Sequence, residues 1–167
     1  MCCWTSRSPA ETRALARALG AAFDGRGGVV GLVGPLGAGK TEFAKGLAEG
    51  LGLDPMLLAS PTFVIAGELP VPEGRALERL VHADFYRVAD PRELEMAGLA
   101  DWLAPGTLLL AEWADRFPRD LPADRLDVTI ERAVGRDPLE RTIRARPVAG
   151  PGSAAERVLG RWRNTCP

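Results

Sequence analysis

Apolar residues occur along the chain in two patterns, short continuous runs and longer stretches with helical spacing. The runs at 29–33 and 107–111 are almost wholly apolar, and we predict that they form buried strands of a sheet. A helix is predicted to start after Ser8, which would be its N-cap, with Glu11 closing a capping box. Apolar residues at helical spacing within 42–51 predict a second helix shortly after the first apolar strand.

The rest of the chain adds strands and helices in mixed order. Further strands are predicted at 63–66, 77–86, 125–133 and 141–147, the first two as an antiparallel pair around a turn at 70–74. Further helices are predicted at 91–103, capped by Asp90, and at 154–163. This order predicts an α/β fold in which a mixed central sheet is flanked by helices.

The length of 167 residues suits one domain with a core of ordinary size. We therefore expect a single domain over residues 1–167. Disorder concentrates at chain ends, so residues 1–7 and 164–167 are its candidates here.

A glycine-rich loop links the first apolar strand to the helix that follows. It reads Gly34-Pro35-Leu36-Gly37-Ala38-Gly39-Lys40-Thr41, which is a glycine, four free positions and Gly-Lys-Ser/Thr. The glycines let backbone N–H groups approach phosphate, Lys40 would contact the β- and γ-phosphates, and the Thr41 hydroxyl would coordinate magnesium. The alternative is an ordinary glycine-rich turn with a surface lysine. The motif favours the first interpretation and predicts a nucleotide site in a P-loop NTPase-like domain.

Acidic and aromatic side chains elsewhere are candidates for the same site. Glu112 directly follows the apolar run at 107–111, where a metal-holding acid should emerge if that strand lies beside the strand before the loop. Asp84 could support the metal or orient the attacking water, or could be a strand-edge carboxylate. Thr62 could sense the γ-phosphate as a switch residue, or could simply begin a strand. On the residues alone, Trp113 is interpreted as a packing residue.

Charge and composition restrict the other classes. The formal net charge is −1, so no global positive field favours strong nucleic-acid binding, although a local contact stays open. Cys2, Cys3 and Cys166 do not form a disulfide framework, and they favour a reducing, cytoplasmic setting. We expect neither secretion nor a membrane span, because no suitable apolar segment is present. The single histidine, His82, is interpreted as structural.

Further motifs occur in order along the chain, namely Ser60-Pro61-Thr62-Phe63, His82-Ala83-Asp84-Phe85-Tyr86-Arg87, Asp90-Pro91-Arg92-Glu93-Leu94-Glu95 and Glu112-Trp113. Together with the glycine-rich loop, they resemble the TsaE family, the bacterial ATPase of tRNA threonylcarbamoyladenosine modification. The resemblance spans about residues 11–136. It implies a small P-loop ATPase with ATP or ADP and Mg²⁺ as cofactors. The family partners would be a transferase and its inactive paralogue, whose turnover ATP hydrolysis supports; direct contact with tRNA stays open.

The resemblance also implies roles for individual residues. Thr41 and Glu112 would hold magnesium, and Asp84 would be needed for hydrolysis. Trp113 would be functional, and Thr62 would lie in a switch-like loop. With Lys40 at the phosphates, these residues make up the expected catalytic and nucleotide-binding set.

Two points of the resemblance concern the nucleotide itself. The family often has a second threonine where this chain has Glu42, and an acid there should repel the α-phosphate. Either Glu42 turns outward and backbone amides suffice, or nucleotide affinity is reduced. Since the family's first helix lies near the base, Glu11 and Thr12 are candidates for contact with adenine.

The leading hypothesis is a Mg²⁺-dependent ATPase that is slow alone and depends on its partners, with ATP-dependent association. A small-molecule kinase is the first alternative, but the arginines do not gather in one inserted lid segment. A nucleotide-sensing interaction protein without significant hydrolysis is the second.

Overall fold

The computed structural model describes residues 1–23, 27–58, 65–74, 76–133 and 137–166. The strands are β1 (Cys2–Ser6), β2 (Gly28–Val33), β3 (Ala66–Pro70), β4 (Arg79–Asp84), β5 (Thr107–Glu112), β6 (Leu126–Arg132) and β7 (Arg141–Pro147). The helices are α1 (Pro9–Ala22), α2 (Lys40–Gly50), α3 (Pro91–Ala97), α4 (Leu99–Trp102) and α5 (Ala154–Thr165). Short 3₁₀ helices lie at Pro55–Leu57 and Ala114–Arg116.

The strands of the described residues form one seven-stranded sheet in the order β1-β7-β6-β2-β5-β4-β3. The four inner strands β6, β2, β5 and β4 are parallel, whereas β1, β7 and β3 pair antiparallel to their neighbours. The predicted α/β fold with a mixed central sheet is therefore confirmed. Since parallel strands end at the same edge, Leu32, Asp84 and Glu112 meet there, each opposite its neighbour in the register.

The central strand β5 is buried along its whole length, as its apolar sequence predicts. Its side chains alternate between two cores on opposite faces of the sheet. Leu108 and Leu110 belong to the core beneath α1, α2 and α5, whereas Leu109 and Ala111 belong to the core beneath α3 and α4. The sheet is thus flanked by helices on both faces, and its carboxyl edge is left free for loops.

Helices α1 and α2 cross at unusually close range. A Cβ atom added at Gly46 would lie 2.3 Å from the carbonyl oxygen of Arg13, and one added at Gly50 would lie 2.1 Å from that of Arg17. Small residues at the crossing let the two backbones touch, so α1 is fixed against the second half of α2. The side chain of Arg13 contacts Glu42 in the first turn of α2.

Regular secondary structure extends into both ends of the chain. Residues 2–6, within the first segment named as a candidate for disorder, form β1 on the sheet edge beside β7. The ring of Trp4 lies 4.2 Å from that of Trp162 on α5, which joins the first strand to the last helix. The helix itself extends to Thr165, two residues beyond its predicted end and into the second expected disordered segment.

Element boundaries differ elsewhere as well. Residues 63 and 64 of the strand predicted at 63–66 lie outside the described residues, and β3 begins at Ala66 and extends to Pro70, where a turn was expected. It does pair antiparallel with β4, as predicted. The long helix predicted at 91–103 is divided at Gly98, whose φ of 105° ends α3 and caps α4. In the part of the chain that is described, no helix has the length and apolar character needed to cross a membrane.

Candidate functional site

The loop at residues 34–41, hereafter the phosphate loop, connects the carboxyl end of β2 to α2. Gly34, Gly37 and Gly39 adopt φ values of 149°, 73° and 110°, the region that favours glycine. At Gly34 the space is also restricted, because an added Cβ would lie 2.2 Å from the carbonyl oxygen of Ile130. Gly39 is the N-cap of α2 and has no side chain to occupy the first amides of the helix. These N–H groups are therefore available to an anion.

Lys40 folds back over the phosphate loop. Its Nζ donates to the carbonyl oxygens of Gly34 at 2.7 Å and Pro35 at 3.1 Å, and lies 3.8 Å from the centre of the Trp113 ring. Burial lowers the pKa of Lys40, and the opposing effect of Glu112, Asp84 and other acids does not fully offset it. The ammonium is thus held between backbone carbonyls and an aromatic face, at the position where the motif requires a cation.

Acidic side chains from two neighbouring strands face this lysine. Glu112 ends β5 and is buried, and its Oε1 lies 3.0 Å from Nε2 of His82 on β4. Asp84 ends β4 opposite Glu112, and its Oδ1 accepts a hydrogen bond from the backbone N–H of Tyr86 at 2.9 Å. The structure therefore brings Asp84 and Glu112 together at the carboxyl edge of the sheet.

A cleft of about 320 Å³ opens between the phosphate loop and these acids. It is lined by Leu36, Gly37, Gly39, Lys40, Thr41, Glu42, Asp84, Tyr86, Glu112 and Trp113. Hydroxyl and carboxylate oxygens from Thr41, Asp84 and Glu112 share this space, and such oxygens are the donors that Mg²⁺ prefers. Among the described residues, no group of three or more His, Cys, Asp or Glu side chains could hold a metal ion. The donor set instead fits an ion held by one or two protein oxygens together with phosphate oxygens.

Trp113 lines this cleft, whereas the residues alone indicated only a packing role for it. Its φ of 59° is left-handed, a conformation that costs a bulky residue energy and is often found at functional sites. The ring lies 4.9 Å from that of Tyr86, which is exposed at the mouth of the cleft. Arg116, three residues after Trp113, donates through Nη1 to the carbonyl oxygen of Tyr86. The aromatic pair thus forms one wall of the cleft above Lys40.

Glu42 faces cations, which bears on the phosphate repulsion expected from the sequence. Its carboxylate accepts from Arg13 Nη2 at 2.6 Å and from Lys45 Nζ at 3.3 Å. Burial alone would raise the pKa of Glu42, but the hydrogen bonds and charges of Arg13 and Lys45 lower it below its ordinary value. The carboxylate of Glu42 is therefore ionised, and its negative charge is balanced by Arg13 and Lys45. Glu42 itself lines the cleft, and both expectations for the α-phosphate stay predictions.

The two adenine candidates do not line the cleft. Glu11 accepts from the backbone N–H of Arg7 at 2.8 Å, rather than from Ser8 as a capping box would require. Thr12 is buried, with its Oγ1 2.7 Å from the hydroxyl of Ser6. Both side chains thus take part in contacts at the start of α1, and their contact with adenine stays a prediction. Thr62 lies outside the described residues.

The buried contact between His82 and Glu112 was missed from the sequence, where His82 was interpreted as structural. The two residues are 30 positions apart, and only the pairing of β4 with β5 brings them together. One signal was available. His82 and Asp84 lie two positions apart on a predicted strand, so their side chains share a face of the sheet.

Comparisons with known proteins agree with the resemblance that the sequence motifs indicated. The family model described as threonylcarbamoyl adenosine biosynthesis protein TsaE matches residues 6–143. The tRNA threonylcarbamoyladenosine biosynthesis protein TsaE of Bacillus subtilis is 42% identical over 142 residues, which is 85% of this chain and 84% of that protein. The protein of the same name from Mycobacterium leprae is 37% identical over 111 residues, covering 64% of this chain and 68% of its own.

A solved structure agrees with the sequence matches. The crystal structure of YdiB from Bacillus subtilis superposes with a TM-score of 0.73 at 35% sequence identity. The match covers 98% of this chain and 94% of the YdiB chain. The likeness therefore extends over nearly the whole chain.

Proposed function

Because the chain belongs to the TsaE family of threonylcarbamoyl adenosine biosynthesis proteins, we propose that it is the ATPase component of tRNA threonylcarbamoyladenosine formation. It binds ATP with Mg²⁺ in the cleft at the phosphate loop, hydrolyses it slowly alone, and associates with the transferase pair in an ATP-dependent manner. Cytoplasmic action is part of the proposal, and the three free cysteines support it.

One observation carries this proposal. The phosphate loop, with Lys40 and Thr41, opens onto the same cleft as Asp84 and Glu112. A phosphate-binding loop and carboxylates at the end of an adjacent parallel strand are the parts that P-loop NTPases use for phosphoryl transfer. A glycine-rich turn with an ordinary surface lysine would not require two acids to converge on that lysine.

The residues of the cleft have separate roles in this proposal. Backbone N–H groups of the phosphate loop and the start of α2 bind the phosphates, and Lys40 neutralises the β- and γ-phosphate oxygens. Thr41 and Glu112 would hold Mg²⁺, which neutralises further phosphate charge when bound. Trp113 shields the ammonium of Lys40 from water, so its charge acts through a medium of low dielectric.

Asp84 is proposed to act on the attacking water. It lies opposite Glu112, and its Oδ1 is oriented by the N–H of Tyr86. The carboxylate accepts a hydrogen bond from the water and directs its oxygen towards the γ-phosphorus. As the bond between the water oxygen and the γ-phosphorus forms, the bond between the γ-phosphorus and the bridging oxygen breaks and ADP leaves; the proton of the water passes through the Asp84 carboxylate to solvent.

The test is phosphate release and ATP binding by the purified chain at varied Mg²⁺ concentration. Lys40→Ala is expected to lower phosphate release by at least about 100-fold, the usual cost of losing a major charge-stabilising group. Glu112→Gln is expected to raise the Mg²⁺ concentration needed for activity. The exposed residue Glu95 on α3 supplies the matched control, Glu95→Gln, which should behave as the native chain.

The same assay separates the alternatives. Phosphate recovered on an added metabolite rather than in solution would support a small-molecule kinase. ATP binding without release of phosphate, even with the transferase pair added, would support a nucleotide-sensing protein. Native phosphate release from Lys40→Ala would contradict the proposed site.

A further inference from the structure

His82 and Glu112 form an isolated polar contact inside the protein. The Nε2–Oε1 distance is 3.0 Å, and the two side chains are 4% and 5% exposed. Strand alternation puts both side chains on the same face as Leu80, Leu108 and Leu110, which belong to the core beneath α1, α2 and α5. A hydrogen bond between a histidine and a carboxylate in such surroundings strongly fixes the orientation of both groups.

The second ring nitrogen of His82 indicates which tautomer the ring adopts. Within the described part of the chain, Nδ1 of His82 is buried and has no hydrogen-bond partner. An imidazolium would bury an unsatisfied N–H there, whereas the neutral ring with its hydrogen on Nε2 leaves only an unused lone pair. The tautomer that fits this geometry carries its hydrogen on Nε2 and donates it to Oε1 of Glu112.

A purely structural role accounts poorly for this histidine. Its single polar partner is a carboxylate that also lines the cleft, and its other nitrogen is unpaired. Burying a carboxylate and a ring with an unused polar atom costs energy, and apolar side chains of similar size pack such positions at least as well. The contact is explained if its role is to fix the orientation of Glu112.

We propose that His82 is a positioning residue, which donates its Nε2–H to Oε1 of Glu112 and so directs the carboxylate charge into the cleft for a divalent cation. This inference rests on the proposed function, in which Glu112 holds that cation. Histidine–carboxylate contacts of this kind raise metal affinity by fixing the ligand. Among the described residues, no hydrogen bond occupies the other carboxylate oxygen of Glu112, so it stays available to the cation.

A second possible partner for the Glu112 carboxylate explains why its orientation must be fixed. Lys40 is attracted by the charge of Glu112 across the cleft. Without the hydrogen bond from His82, the carboxylate is free to turn towards that ammonium and pair with it. The carboxylate would then be withdrawn from the cation, whereas Lys40 keeps its place because its Nζ is held by the carbonyl oxygens of Gly34 and Pro35.

Two amide variants test whether the side chain at position 82 must reach Glu112 or must only be polar. His82→Gln places its amide nitrogen near the position of Nε2, whereas the shorter amide of His82→Asn ends near Nδ1 and cannot reach Glu112. Both keep a polar side chain of moderate size in the same buried position. Thr107→Val, at the opposite end of β5, is a matched control that removes a different side-chain hydrogen bond from the same part of the sheet.

The measurement is binding of Mn²⁺ by electron paramagnetic resonance in the presence of saturating ADP, together with ADP binding by calorimetry in EDTA. His82→Asn is expected to raise the half-saturating Mn²⁺ concentration about 10-fold or more, and His82→Gln to recover to within about threefold of native. ADP binding in EDTA should be unchanged in both, because the metal-free site does not use the orientation of Glu112. Thr107→Val should match the native chain in both measurements.

Equal Mn²⁺ affinity in the native chain and His82→Asn would overturn the inference, as would an equal loss in the Asn and Gln variants. A parallel loss of ADP binding in EDTA would also overturn it, because it would assign His82 to the fold. A native chain whose ADP binding does not respond to Mn²⁺ would overturn the proposed function and this inference with it. The first three results leave the proposed function standing.

Discussion

The close crossing of α1 and α2 gives a prediction whose sign can be derived from the geometry. Gly46 contacts the backbone of α1, and a Cβ added there would lie 2.3 Å from the carbonyl oxygen of Arg13 and 2.9 Å from Cβ of Ala16. Ordinary contact begins at 3.4 Å, so Gly46→Ala forces the helices apart by about 1 Å. The same change in α5, Gly160→Ala, meets no atom within 4 Å.

The expected magnitudes follow from these contacts. Because the added Cβ meets rigid backbone, overpacking at Gly46 costs the upper part of the usual range, about 2–3 kcal/mol; the gain in helix propensity returns about 1 kcal/mol, leaving a net loss of roughly 1–2 kcal/mol. For a chain of this length, the melting temperature should fall by about 2–8 °C. At Gly160 only the propensity gain applies, so Gly160→Ala should raise stability by about 0.5–1 kcal/mol.

Thermal unfolding followed by circular dichroism measures both variants against the native chain. The crossing also positions Arg13 beside Glu42, so Gly46→Ala should weaken ATP binding in the folded protein, whereas Gly160→Ala should leave it unchanged. A melting temperature that rises in both variants, or falls equally in both, would refute the close-contact reasoning.

Three further predictions concern single side chains. Arg13→Ala leaves the charge of Glu42 less compensated beside the phosphates, so the dissociation constant for ATP, measured by calorimetry, should rise about threefold. The effect is modest because the Arg13–Glu42 pair is partly exposed. An unchanged dissociation constant would contradict the role of Arg13. Trp113→Ala should lower phosphate release while Trp113→Phe retains most of it, because a ring over Lys40 is what is required; equal rates in the two variants would argue against the ring. Burial and the neighbouring Cys2 raise the pKa of Cys166 to about 11, so at pH 8.5 its alkylation by iodoacetamide, followed by mass spectrometry, should be much slower than that of the exposed Cys3. Equal rates would contradict the burial of Cys166.

Features with local causes could be predicted from the sequence. The phosphate loop is defined within eight consecutive residues, since glycines, lysine and threonine each answer a requirement of phosphate binding at that spacing. The apolar run before Glu112 indicated a buried strand, and the structure places that strand beside β2. The position of Glu112 in the cleft follows from these two local signals together with the parallel pairing.

Features with distant causes could not be predicted. Strand β1 is stabilised by pairing with β7 and by the contact of Trp4 with Trp162, both at the other end of the chain. The compensation of Glu42 by Arg13 joins residues 29 positions apart. No pattern within a window of ordinary helix or strand length contains such information.

The break at Gly98 is an intermediate case. The apolar pattern of 91–103 suits one continuous helix, and an isolated glycine inside a helix is commonly tolerated. Here the left-handed conformation of Gly98 turns the chain so that Leu99 and Trp102 pack into the core with Leu94. Packing rather than propensity decided the outcome.

We propose that ATP use by this chain is coupled to the transferase pair, and this coupling can be measured with the purified proteins. The chain is purified with and without the transferase and its paralogue from the same cell, and association and phosphate release are measured at saturating ATP and Mg²⁺. We expect ATP-dependent association and phosphate release that the pair stimulates, both lost in Lys40→Ala and Glu112→Ala. Fast hydrolysis that is equal with and without the pair, or tight ATP binding with no association, would contradict the claim.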